Sequence, residues 1–92
     1  MIELRASFYG TVQGVGFRYK VDKLARSFGF SGWVRNVGSN QVELVAQGDK
    51  TQLDVFLSQI KKWPLPVRID RTEEAFFEIE NRFNSFEIRR NS

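Results

Sequence analysis

The chain of 92 residues contains no cysteine and no histidine. Without cysteine, no disulfide can form and no thiol can act as a nucleophile. Zinc, iron–sulfur and haem sites lose their usual ligands, and neither a Ser-His-Asp triad nor an imidazole general base is possible. An enzyme built from the remaining residue types would therefore work mainly by positioning its substrate and by electrostatic stabilisation.

Long apolar runs are also missing from the sequence. No stretch approaches the roughly 20 apolar residues that a membrane-spanning helix requires. The first residues, Met1 to Arg5, show neither the basic segment nor the apolar stretch of a signal peptide. We therefore expect a single domain over residues 1–92 that acts as a monomer in the cytoplasm and has no membrane partner.

The residues that are present suit a small folded domain with an anionic substrate. Hydrophobic residues make up 41% of the chain and include nine phenylalanines, which is ample for a core. The net charge of +3 arises from 14 basic and 11 acidic residues, which are interspersed along most of the sequence. A mild positive charge suits a small anion better than nucleic acid, which usually requires a basic stripe, so we expect no nucleic-acid partner.

Two local patterns predict the first elements of structure. Residues 2–12 alternate with period two, which predicts a half-buried strand whose apolar face carries Ile2, Leu4, Ala6 and Phe8. The next apolar residues recur at helical spacing and are followed by Gly29, a residue that readily ends a helix in the left-handed conformation. They are Phe17, Val21, Leu24, Ala25 and Phe28.

The remainder of the chain predicts four further strands and one helix. We expect a strand over 32–36, a turn over 37–40 and a strand carrying Val42, Leu44 and Ala46. Asp49 to Gln52 reads as a capping box for a second helix that ends near Trp63-Pro64. A fourth strand is expected near 67–72 and a short final one from Phe86 to Arg90, whereas residues 73–84 follow neither period.

This order of elements, β-α-β-β-α-β with an added short C-terminal strand, is the α+β ferredoxin-like plan. Its two helices cover one face of an antiparallel sheet and leave the other face to solvent. The first two strands run parallel with the third between them, so their C-terminal ends lie at the same edge. We therefore expect the glycine-rich turn after the first strand and Asn36 at the end of the second to face one site.

That turn, Gly10-Thr11-Val12-Gln13-Gly14-Val15-Gly16-Phe17-Arg18, joins a strand to a helix. Backbone amides at such a turn, a helix N-terminus and a guanidinium can each hold an oxyanion. We expect a pocket for one phosphate-sized anion, formed by the backbone amides of Gln13, Gly14, Val15, Gly16, Phe17 and Arg18 and by the Arg18 side chain.

Ordinary structural roles for these residues remain open at this point. Gly14 and Gly16 could merely permit a tight reversal, and the segment has neither the Gly-Lys-[Ser/Thr] of a P-loop nor the spacing of a dinucleotide fingerprint. Asn36 could be a turn residue only. Arg18, however, opposes the helix dipole at a helix start, and a bound anion would remove that conflict.

Taken together, these residues resemble the acylphosphatase family over essentially the whole chain. Residues 10–18 are similar to its first signature, Gly-x-Val-Gln-Gly-Val-x-Phe-Arg, and Gly32-Trp33-Val34-Arg35-Asn36 is similar to the start of its second. Asn40 stands where the family usually has glycine. Because asparagine tolerates a left-handed turn, we expect the hairpin to form at small cost.

The resemblance implies a hydrolase acting on acid anhydrides, without metal or cofactor. Its substrate would be a small acyl phosphate, cleaved to a carboxylate and inorganic phosphate. In that mechanism Arg18 clamps two phosphate oxygens and Asn36 holds the attacking water. The predicted cradle contacts only the phosphate, which is common to all such substrates.

Two non-catalytic roles are possible on the same fold. An RNA-binding version would display aromatic residues on the first and third strands, but the third strand offers Gln41, Glu43 and Val45 beside Tyr9 of the first. A sensor domain could bind an anion without hydrolysing it. Asn36 discriminates between a sensor and an enzyme, since only hydrolysis needs a positioned water.

Overall fold

The computed structural model describes residues 1–91 and contains seven elements in the predicted order. They are β1 (Ile2–Thr11), α1 (Phe17–Phe28), β2 (Ser31–Val37), β3 (Gln41–Gly48), α2 (Lys50–Lys61), β4 (Arg68–Glu78) and β5 (Phe86–Ile88). This is the predicted βαββαβ arrangement with an added short strand.

The strands form one sheet in the order β4-β1-β3-β2-β5. β3 pairs antiparallel with both β1 and β2, so β1 and β2 run parallel, as predicted. The added strand β5 pairs parallel with β2, which makes the complete sheet mixed. The loop after β1 and the end of β2 are therefore at the same edge.

Both helices pack on one face of the sheet through the predicted apolar residues. Because successive strand residues point to opposite faces, the period-two pattern places Leu4, Ala6 and Phe8 of β1 in the core. Phe56 of α2 is fully buried, with its ring edge-on to Phe30 at 5.2 Å and to Phe28 at 5.9 Å between centroids. Other buried members of this core are Phe17, Val21, Ala25, Val34, Val42, Leu44, Ala46, Leu53, Leu57 and Ile60.

The expected limits of the fourth strand, 67–72, are wrong, because β4 extends to Glu78. It pairs with β1 along almost its whole length, from Thr11 opposite Arg68 to Ile2 opposite Glu78. The partner strand thus sets the length of β4. The sequence showed no period over residues 73–78 because β4 lies at the edge of the sheet and most of its side chains are exposed on either face.

The segment 79–85 carries the chain from β4, at one edge of the sheet, to β5, at the other. The Gln47 side chain forms hydrogen bonds with two residues of this segment. The Gln47 Nε2 donates to the carbonyl oxygen of Asn81 at 2.7 Å, and its Oε1 accepts from the amide of Phe83 at 3.1 Å. Gln47 is 1% exposed and also donates to Glu3 Oε1 at 2.9 Å.

Two predictions about helix ends, at Gly29 and at Asp49, have different outcomes. Gly29 ends α1 in the left-handed conformation, with φ of 77°, as predicted. Asp49 is the N-cap of α2, but the capping box is wrong because its side chain makes no capping bond. Asp49 is exposed, so water can satisfy both the carboxylate and the helix amides.

The β2–β3 hairpin forms, as expected, although Asn40 itself does not adopt the left-handed conformation. Within residues 1–91 only glycines have positive φ, and Gly38, with φ of 60°, supplies that conformation in the β2–β3 turn. The Asn40 carbonyl oxygen instead accepts a hydrogen bond from the Gly10 amide at 3.0 Å. This bond links the turn to the end of β1.

α1 and α2 contain 12 residues each. Neither of these helices, the two that residues 1–91 form, has the length and apolar character needed to cross a bilayer.

Candidate active site

The loop between β1 and α1 depends on two left-handed glycines. Gly14 has φ of 74° and Gly16 has φ of 75°. A Cβ atom at either position would meet no other atom within 4 Å, so space does not require glycine there. The backbone conformation does, because an L-residue in the left-handed region costs roughly 1–2 kcal/mol.

The loop and the start of α1 leave their backbone amides without partners. Gly16, the N-cap, has no side chain to cap the helix, and the first turn carries no acidic residue. The first helical bond runs from the Lys20 amide to the Gly16 carbonyl oxygen, at 3.0 Å. Within the described chain, no amide of residues 13–19 donates to a backbone carbonyl. These amides are free to bind an anion.

A cavity of about 180 Å³ lies at this loop. It is smaller than the roughly 300–1,000 Å³ of sites for drug-sized ligands, which suits a small anion. Of the residues predicted for the cradle, Gly14, Gly16, Phe17 and Arg18 line it, whereas Gln13 and Val15 do not. The other lining residues are Val12, Tyr19 and Ile88.

The Arg18 guanidinium extends towards the end of the chain that follows β5. Its Nη1 donates to Asn91 Oδ1 at 3.2 Å. The amide of Arg89 donates to the carbonyl oxygen of Val34 at 2.9 Å, which holds this end of the chain beside β2. Among residues 1–91, no carboxylate forms an ion pair with Arg18, and its charge is thus available to a ligand.

Asn36 lies on β2, on the same face of the sheet as Val34 and the core. It is only 6% exposed, and its Oδ1 is buried without a hydrogen-bond partner in the part of the chain described. An unsatisfied buried polar atom typically costs about 1–3 kcal/mol, so such atoms are rare outside functional sites. Asn36 does not line the cavity.

Gln13 connects the loop to the turn that follows Asn36. Its Nε2 donates to the carbonyl oxygens of Gln41 at 2.9 Å and Gly38 at 3.1 Å, with that of Val37 at 3.4 Å. The loop and the end of β2 therefore meet at one sheet edge, as the strand order predicts. Sequence reasoning assigned Gln13 only a backbone amide, because nothing local indicates that its side chain reaches the β2–β3 turn.

A hollow of about 540 Å³ lies on the outer face of the sheet. Aromatic rings there are covered by arginines. The Arg35 and Arg89 guanidinium carbons lie 5.0 and 5.1 Å from the Trp33 centroid, and that of Arg71 lies 4.1 Å from the Tyr9 centroid. Trp33 and Tyr9 therefore each face a guanidinium on this side of the sheet.

The Tyr9 hydroxyl of β1 forms a hydrogen bond with a carboxylate of β4. The Tyr9 hydroxyl donates to Glu73 Oε1 at 2.8 Å, and this bond raises the pKa of Tyr9 above its ordinary value. Over residues 1–91, no three acidic side chains are grouped closely enough to hold a metal ion.

The acylphosphatase family model matches residues 4–88. The chain belongs to the acylphosphatase family. It is 40% identical over 93 residues to an acylphosphatase of Acaryochloris marina, with 98% of this chain and 96% of the relative covered. It is 41% identical over 88 residues to an acylphosphatase of Archaeoglobus fulgidus, with 96% and 98% covered.

The fold is that of solved acylphosphatases. The crystal structure of acylphosphatase from Bacillus subtilis superposes with a TM-score of 0.90 at 30% identity, covering 96% of this chain and 98% of the other. The family resemblance and the ferredoxin-like fold expected from the sequence are both confirmed. The chain is thus a hydrolase of the class that acts on acid anhydrides.

Proposed function

We propose that this acylphosphatase hydrolyses the carboxyl–phosphate bond of small acyl phosphates at the β1–α1 loop. The proposal rests on amides that have no backbone partner within residues 1–91 and that surround a small cavity. The wall of this cavity includes Arg18, whose guanidinium forms no ion pair with those residues. Such an arrangement favours a compact dianion over a neutral ligand. Family membership supports the reaction itself.

The phosphoryl group binds in the cradle. Its oxygens accept hydrogen bonds from the backbone amides of Gln13, Gly14, Val15, Gly16, Phe17 and Arg18. The planar guanidinium of Arg18 exchanges its single bond to Asn91 for two bonds to phosphate oxygens. These donors lie where negative charge spreads over the equatorial oxygens of a loose transition state, which is how phosphoryl transfer is catalysed.

The attacking water is held by Asn36. The water donates a hydrogen bond to the unpartnered Oδ1 and directs a lone pair at phosphorus. The new phosphorus–oxygen bond forms as the bond to the acyl oxygen breaks, and the electron pair leaves with the carboxylate. A carboxylate is a stable leaving group that needs no protein acid, and a phosphate oxygen accepts the proton of the water.

This mechanism uses only backbone amides and side chains of this chain, and none of its steps requires a metal or a cofactor. A single domain over residues 1–92, a monomeric state and a cytoplasmic location stay predictions of the sequence. A sensor domain with the same cradle would bind phosphate without turnover, and the following experiment separates it from an enzyme.

The test is the loss of benzoyl phosphate, followed by ultraviolet absorbance in excess chelator. Wild-type protein should turn over without added metal. Arg18→Ala should lose both binding and rate, because the cradle keeps its amides but not its charge. Asn36→Ala should lower kcat by about 100-fold or more, as does removal of one preorganised donor from an oxyanion hole. Gln52→Ala, an exposed position on α2, is the matched control.

Each part of the proposal has its own contrary result. A folded wild-type sample that shows no turnover above the spontaneous rate would leave only an anion-binding module. Normal turnover by Asn36→Ala would exclude its role in positioning water, and an unchanged KM for Arg18→Ala would exclude the clamp.

A further inference from the structure

Two large apolar side chains at the cradle are exposed to solvent. Tyr19 is 66% exposed and Ile88 is 42% exposed, and both line the cavity together with Gly14, Gly16 and Arg18. They come from opposite ends of the sequence, in the first turn of α1 and at the end of β5. We call this pair the apolar rim.

Tyr19 and Ile88 are not members of the buried core, so packing of the core does not explain why they are apolar. The two cavity residues that do belong to the core, Val12 and Phe17, are each only 1% exposed. Apolar surface left in water favours contact with an apolar ligand, at about 25 cal/mol for each Å² removed from water. Exposed apolar residues scattered singly need no explanation, but here two lie at the mouth of one polar site.

The chemistry of the proposed reaction directs the acyl group away from Asn36. In an in-line displacement, the attacking water and the leaving carboxylate lie on opposite sides of phosphorus. Asn36 does not line the cavity, whereas Tyr19 and Ile88 do. The acyl group leaves on the side opposite the water, and the rim is apolar surface of the same cavity that is available to it.

We infer that Tyr19 and Ile88 form a subsite for the acyl group that selects aromatic and branched apolar acyl phosphates over acetyl phosphate. This inference rests on the proposed function, since it assigns the second half of the same substrate. The cradle binds the phosphate that all such substrates share, and the rim discriminates among them.

The experiment compares kcat/KM for benzoyl phosphate with that for acetyl phosphate. Taking the ratio within each variant and comparing it between variants removes the intrinsic difference in reactivity of the two substrates. The wild-type ratio should exceed that of Tyr19→Ala by about 10-fold, a discrimination typical of one apolar contact. Ile88→Ser should reduce the ratio in the same direction.

Two controls separate the subsite from a structural effect. Tyr19→Phe keeps the ring and should keep the wild-type ratio. Val55→Ala removes an apolar side chain of α2 that is 45% exposed, close to the 42% of Ile88, and that does not line the cavity, so it should also keep the ratio. The inhibition constant of inorganic phosphate, measured for every variant, reports on the cradle alone.

The possible failures are distinct. An unchanged ratio in both Tyr19→Ala and Ile88→Ser, with hydrolysis retained, overturns the apolar subsite and leaves the proposed function standing. If folded wild-type protein hydrolyses neither substrate, the proposed function fails and the subsite fails with it.

Discussion

At the scale of single residues, two buried amide side chains behave in opposite ways. Gln47, 1% exposed, has partners for both polar atoms, in Glu3, Asn81 and Phe83. Asn36, 6% exposed, leaves its Oδ1 unpartnered among the described residues. Because an unpartnered buried oxygen opposes folding, stability alone would favour an apolar residue at position 36.

Asn36→Val should therefore abolish most turnover while stabilising the fold. Removing the unsatisfied oxygen should raise the free energy of unfolding by about 1 kcal/mol. Urea denaturation and benzoyl phosphate hydrolysis measure the two effects in the same sample, and Asn84→Ala, exposed in the 79–85 segment, serves as the control. A clear loss of stability on Asn36→Val would mean that Asn36 is a structural residue.

At the scale of elements, the cradle is a loop whose position depends on the neighbouring hairpin. Gln13→Ala removes the side-chain bonds to the β2–β3 turn but keeps every backbone amide. Because a shift of about 1 Å in a positioned group can cost 100-fold in rate, we expect kcat/KM to fall by about 10- to 100-fold.

The matched control for Gln13 is Gln41→Ala. Gln41 lies in the same hairpin, but its Nε2 donates to Ser7 Oγ of β1 at 3.1 Å and not to the loop. Full activity of a folded Gln13→Ala variant would show that the loop holds its conformation without the hairpin.

A second element-scale prediction concerns the segment 79–85, which joins the two edge strands. Gln47→Ala would leave the Phe83 amide, the Asn81 carbonyl and one Glu3 oxygen without this partner. The free energy of unfolding should fall by about 2–3 kcal/mol, as measured in urea. The exposed Gln52→Ala should change it by no more than about 0.5 kcal/mol. A similar small change for Gln47→Ala would mean that other contacts hold the segment.

At the scale of the whole molecule, anion binding should be visible as stability. A ligand that binds only the folded state at ten times its dissociation constant adds about 1.4 kcal/mol to the free energy of unfolding. In a domain of this size, that corresponds to a rise in Tm of several degrees. Inorganic phosphate should therefore raise the Tm of wild-type protein but not that of Arg18→Ala. An equal rise in both would place phosphate elsewhere.

Much of the fold could be predicted because its signals are local. The period-two pattern of β1 and the helical spacing of α1 and α2 reflect burial of one face by elements with fixed geometry. The strand order followed from the element order, and it correctly brought the loop and Asn36 to one edge. The limits of β4 and the capping box at Asp49 were wrong, because pairing with a distant strand decides the first and competition with water the second.

The residue types that face the core, the glycines of the loop and the sheet edge shared by that loop and Asn36 could all be read from the sequence alone. Which polar atoms form hydrogen bonds, in contrast, depends on the tertiary structure. It directs the Gln13 side chain to the β2–β3 turn, leaves Asn36 Oδ1 without a partner among residues 1–91 and brings Tyr19 and Ile88 to one cavity. The difference arises from distance along the chain. Periodicity reflects the burial of one face of a single element, whereas these contacts join residues far apart in the sequence and depend on how all the elements pack together.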